Sequence, residues 1–171
     1  MKNIKFLLVI FSLMFAFSSV GFAQNVTLPA LAGGNVSLNS QKGKVVVLAI
    51  GATWLPLSAN QAIIVNKLSK KYLGKDVVIY FVATDSTAEK SKNFASNADI
   101  QAFAARNKMS AAVLRDADGA VTLKKFDVDQ LPAFVVLDKD GKAIGEPFGG
   151  VTPNEETVLA DKISQAIDKI L

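Results

Sequence analysis

The sequence predicts an α/β fold with a central sheet and helices packed against it, and three stretches carry that prediction. Lys44 to Tyr72 reads as strand, tight turn and helix. Asp76 to Ala83 is a second apolar run, which that helix links to the first, and Thr152 to Ile170 carries a single amphipathic stripe. Within the first stretch, Val45 to Ile50 is an unbroken apolar run in which four of six residues are Val or Ile. That is the pattern of a strand buried on both faces. Gly51, Ala52 and Thr53 make a turn of small residues before Trp54. Pro56 stands where a helix begins, because its fixed φ suits the first helical turn. From Ser58 onward Ala62, Ile63, Leu68 and Tyr72 recur at near-helical spacing, with Asn60, Lys67, Ser69, Lys70 and Lys71 between them.

The run from Asp76 to Ala83 is expected to lie parallel to the first strand, since a helix joins them. Asp85 then falls at the carboxyl edge of the sheet, where it either lines a site or, as the favoured reading, opens a solvated turn. The loop from Ser86 to Ser96 is polar and rich in Lys and Ser, which marks it as mobile. Ser96 or Asn97 caps a helix through Ile100, Phe103 and Ala104, followed by a short strand from Ala111 to Leu114. Asp116-Ala117-Asp118-Gly119 and Asp138-Lys139-Asp140-Gly141 read as hairpin turns, since Asp-Gly supplies positive φ. Each has only two carboxylates and lacks the distal Glu of a calcium loop. Phe134 to Leu137 is a further strand. Upstream, Asn35 to Asn39 alternates weakly between glycines, as an edge hairpin or lead-in strand does. At the end, Thr152, Pro153 and Glu155 have the spacing of a capping box ahead of Leu159, Ile163, Ala166, Ile167 and Ile170. Glu155 and Glu156 there complement the helix dipole.

Residues 1–23 have the layout of a secretory signal peptide: Lys2 and Lys5, a twelve-residue apolar run broken only by Ser12, then Gly21 and Ala23 before Gln24. An uncleaved N-terminal anchor is the alternative. The run is short for a membrane span, so the mature chain, residues 24–171, is expected as one domain, exported to a periplasmic or extracellular space, with no stable membrane insertion. Seventeen basic against fifteen acidic residues leave the mature chain at +2. So small a balance gives no electrostatic reason to expect nucleic acid as a partner. The sequence has no cysteine and no histidine. That excludes Cys-His and Ser-His-Asp catalysis, zinc sites built on those residues and haem ligated by them. No metal or cofactor is expected.

Ala-Thr-Trp ending at Trp54, a Pro two residues on, and a polar helix ending in Lys70-Lys71-Tyr72 resemble the active-site segment of the thioredoxin superfamily. The nearest likeness is to its secreted TlpA/ResA-like thiol-disulfide oxidoreductases. Leu131-Pro132-Ala133-Phe134, then a strand and Asp-x-Asp-Gly, is a second match in the same order and spacing. The resemblance spans about residues 30 to 170. It implies a thioredoxin-like fold, a central mixed sheet flanked by helices, with a cis Leu131-Pro132 bond facing the active-site turn. It also implies a Cys-x-x-Cys motif at the positions of Leu55 and Ser58, and neither residue is a cysteine. Ala49 and Gly51 also depart from the family, which commonly has a polar residue and a large aromatic there. Family chemistry needs a thiolate at the helix N-terminus and a second thiol to resolve the mixed disulfide.

No catalytic residue is therefore assigned. The leading expectation is a redox-inactive module that holds an extended peptide or an envelope protein at Trp54, Leu55, Pro56, Leu57, Leu131 and Pro132, by strand-like backbone pairing that needs no thiol. The alternatives are a structural subunit whose groove is vestigial, and an enzyme of another kind that uses Asp85, Asp116 or Ser58.

Overall fold

The computed structural model describes residues 26–171, so the expected signal peptide lies outside the described residues. An antiparallel hairpin comes first, from β1 (Thr27–Pro29) and β2 (Asn35–Ser37), followed by a 3-10 turn at Leu38–Gln41. The centre of the fold is β3 (Val45–Gly51), with every residue buried. Continuous apolar character makes that possible, because a strand covered on both faces has no polar side to present. It leads through the expected turn into α1 (Ser58–Lys71) and then β4 (Val77–Ala83). The remaining elements are α2 (Asn97–Arg106), β5 (Ala112–Arg115), a short helix α3 (Thr122–Lys125), β6 (Ala133–Leu137) and α4 (Glu156–Asp168).

The strand order is β5-β4-β3-β6. β3, β4 and β5 run parallel, and β6 is antiparallel to β3. This is a thioredoxin-like fold with a mixed central sheet. Alternation along the strands feeds two cores. Val45, Val47, Phe81 and Phe134 face α1, α2 and α4, meeting Ile64, Ile100, Phe103 and Ile163. Val46, Leu48, Ile50 and Val82 face the β1–β2 hairpin and the segment holding Phe126 and Val128. Phe81 stacks on Phe103 with ring centroids 5.8 Å apart.

Three local expectations are corrected. In α1 the buried stripe is Ser58, Gln61, Ala62, Ile64, Val65 and Leu68, whereas Ile63 is 46% exposed. Ala62, Leu68 and Tyr72 are buried as expected; Ile63 falls off the stripe, which begins with two polar residues that apolar periodicity does not register. The capping box expected at Thr152 does not form: Thr152 Oγ1 donates to the Glu155 carboxylate at 2.6 Å, and α4 starts only at Glu156 with no side-chain cap, after Asn154 takes a left-handed φ of 70°. Asp116 to Gly119 is not a hairpin turn but a 3-10 turn leading to α3. Asp116 is buried there and accepts from the Val121 and Thr122 N–H groups and the Thr122 hydroxyl. The loop after β4 is tied at its ends, where the Ser86 N–H donates to the Asn93 carbonyl at 2.9 Å and the Ala95 N–H to the Ser86 carbonyl at 3.2 Å.

Candidate functional site: the turn after β3 and the loop before β6

The turn that follows β3 is folded by its own backbone. The Leu55 N–H donates to the Ala52 carbonyl at 3.1 Å, and the Ser58 N–H donates to the Leu55 carbonyl at 3.1 Å. Its root is anchored from the neighbouring strand. Asp85, fully buried, accepts the Thr53 N–H at 2.9 and 3.1 Å through its two oxygens and the Thr53 hydroxyl at 2.6 Å. The sequence reading of Asp85 as a solvated turn residue is therefore overturned. A carboxylate is buried only where donors satisfy it, and its donors lie 32 residues upstream, out of reach of local pattern. Arg115, also buried, braces the same region. Its guanidinium donates to the carbonyls of Ser86 at 3.0 Å and Ala95 at 2.7 Å, and to Asn97 Oδ1 at 2.7 Å.

The six residues singled out from sequence do not all reach the surface. Trp54 is 48% exposed, Pro56 is exposed and Leu55 is half-buried. Leu57 leans into the core beneath α1, while Leu131 leans into the core on the other face. The Leu131-Pro132 peptide bond is cis, and Pro132 is buried. What joins the two loops is the sheet, since Ile50 and Ala133 are the last cross-strand pair of β3 and β6. The exposed residues are therefore Trp54 and Pro56, with Leu55 half-buried, on the turn that follows β3, while Leu131 precedes the paired strand β6. The N–H and C=O of Leu131 make no hydrogen bond among the described residues. Ser58 is wholly buried, and its Oγ has no partner there.

Sequence reasoning missed Gln61. Its side chain is fully buried, and Nε2 donates to the Ile50 carbonyl at 3.1 Å and the Ala133 carbonyl at 2.9 Å. Its position three residues after Ser58 on an otherwise apolar helical stripe was the available signal. Two cavities lie elsewhere. One of about 420 Å³ sits below the C-terminal end of α1, and one of about 500 Å³ sits beside Phe126 and Pro147. Neither is lined by the six residues. Among the described residues no group of three or more carboxylates is placed to hold a metal.

The profile of the Redoxin family matches residues 20–162. The chain belongs to the Redoxin family. Among its relatives, the thiol-disulfide oxidoreductase ResA of Bacillus thuringiensis subsp. konkukian is 30% identical over 83% of this chain and 76% of its own length. Two solved structures share the fold. The exposed lipoprotein thioredoxin Etrx1 of Streptococcus pneumoniae matches with a TM-score of 0.66 and 24% identity over 85% of this chain and 98% of that one. A secreted disulfide oxidoreductase of Mycobacterium tuberculosis matches with a TM-score of 0.63 and 22% identity over 86% and 97%. This Redoxin-family chain is thus related to thiol-disulfide oxidoreductases but has no cysteine. Among the described residues, no helix is long and apolar enough to cross a membrane.

Proposed function

We propose that this chain is an exported, redox-inactive member of the Redoxin family that holds an extended peptide, or a segment of an envelope protein, without a covalent bond. The observation that carries the reading is an exposed Trp54, on a turn fixed by Asp85, at the end of a strand paired with the one that follows Leu131, whose N–H and C=O make no hydrogen bond among the described residues. An extended chain laid along Leu131 gains main-chain hydrogen bonds, and its apolar side chains gain Trp54 and Leu55 as a platform. Export is supported by the signal-like N-terminus and by a secreted and a surface-exposed relative of the same fold. An enzymatic role draws no support from the candidate groups. The carboxylates of Asp85 and Asp116 are taken up by backbone and hydroxyl donors, and buried Ser58 has no histidine to activate it. The vestigial-groove reading draws on one observation, the inward turn of Leu57 and Pro132, which leaves less open surface.

Affinity purification from the native envelope, in reducing and non-reducing buffer, tests the proposal against the variant Trp54→Asp/Leu55→Asp. A partner held by the native chain in both buffers and lost by the variant is expected. A partner held equally by the variant, or held only without reductant, contradicts it.

A further inference from the structure

We infer that Gln61 is the positioning residue of this groove: it ties together the two strand ends that carry the groove's walls. The inference rests on the docking reading of the site. Ile50 and Ala133 form the last pair of the β3–β6 ladder. The turn bearing Trp54 and Leu55 follows Ile50, and the loop bearing Leu131 and Pro132 precedes Ala133. Gln61 Nε2 donates to both carbonyls of that pair, at 3.1 and 2.9 Å. One side chain of α1 thus bridges the roots of both loops, at the point where the ladder ends and the strands would otherwise separate.

The site is built around this side chain. A Cβ at position 51 would lie 2.3 Å from Gln61 Oε1 and 3.2 Å from Ser58 Oγ, so only glycine leaves room for the amide. Gly51 and Gln61 therefore form a matched pair. Gln61 Oε1 and Ser58 Oγ are both buried without a hydrogen-bond partner among the described residues. A leucine at position 61 would remove the unpaired Oε1 but take the Nε2 donor from both carbonyls, and holding those two carbonyls is the role that explains a polar side chain here.

The test uses the mature chain with reduced, carboxymethylated α-lactalbumin as probe, an unfolded polypeptide with extended segments and no free thiol. Titrations compare the native chain with Gln61→Leu and Gln61→Glu, with folding checked by circular dichroism and with amide resonances recorded. Folded Gln61→Leu is expected to bind about tenfold more weakly, as fits the loss of two hydrogen bonds, with the Leu131 and Ala133 amides shifted. Gln61→Glu can donate only while its carboxyl is protonated, so its affinity is expected to fall as pH rises from about 5 to about 8, while the native chain stays level. If Gln61→Leu does not fold, the pH profile of Gln61→Glu decides the matter. Native-like affinity in folded Gln61→Leu, or a level profile in Gln61→Glu, overturns the inference and leaves the docking reading intact. If the native chain itself does not bind, the docking reading fails. Unshifted Leu131 and Ala133 amides in Gln61→Leu would then overturn the tie as well.

Discussion

The family resemblance implies two cysteines at the positions of Leu55 and Ser58, and the residues that stand there differ in their surroundings. Leu55 presents an apolar, half-buried surface, whereas Ser58 is sealed inside the fold. The turn between them keeps its shape through contacts that involve neither side chain, chiefly the three hydrogen bonds of Thr53 to Asp85. Replacing Asp85 by Ala leaves the Thr53 N–H and hydroxyl without their acceptor. The expected loss is about 2–3 kcal/mol of folding free energy, measured from urea unfolding midpoints. A loss below about 0.5 kcal/mol, the range of ordinary surface substitutions, would show that the turn does not depend on Asp85.

At the scale of elements, the strand–turn–helix from β3 to α1 brings positions 55 and 58 close together. The Ser58 N–H bonds the Leu55 carbonyl, so positions 55 and 58 span one turn, with Cα atoms under about 7 Å apart. That lies within the reach of a disulfide. The variant Leu55→Cys/Ser58→Cys is therefore expected to close an intramolecular disulfide on mild oxidation, read by mass and by thiol titration. Two persistently free thiols would mean that the turn itself, and not only its side chains, has changed. The same unit shows what sequence can and cannot reveal. β3 was legible because a run of Val and Ile has one stable placement, and the Leu131-Pro132 loop because its motif recurs at a fixed distance from Trp54. The inward face of α1 was legible at Ala62, Leu68 and Tyr72 but not at its start, since Ser58 and Gln61 stand where the apolar pattern should begin. Asp85 and Asp116 were misread for a related reason: their donors are supplied by the tertiary fold or by the next short helix, and local sequence registers only a carboxylate near a turn. The shift of α4 past Thr152 turns on one left-handed residue, Asn154.

Across the whole molecule, three carboxylates fasten helices and are held below their usual range. Asp99 is lowered first by the Ser96 hydroxyl at the start of α2. Glu156 is lowered first by the Asn60 amide, which links α1 to α4. Asp168 is lowered first by Tyr72 and then by Lys71, which link the same two helices. A carboxyl whose pKa is lower in the folded chain is protonated first in the unfolded chain as the pH falls. Their contribution is thus present above the ordinary carboxylate range and is lost below about pH 4. Urea midpoints are expected to fall on acidification through that range, and less steeply in Asp168→Asn; identical slopes would remove Asp168 from the account. The fold so fastened sets the turn bearing Trp54 and Leu55 after β3 and the loop bearing Leu131 before β6, the strand paired with it, and the central claim is that these two loops bind extended chain without thiol chemistry. The most direct measurement is calorimetric titration of carboxymethylated α-lactalbumin into the mature chain and into Trp54→Asp/Leu55→Asp, with and without reductant. The account predicts saturable binding by the native chain, indifferent to reductant, and at least about a tenfold loss of affinity in the variant. No binding by the native chain, or equal binding by a folded variant, would contradict it.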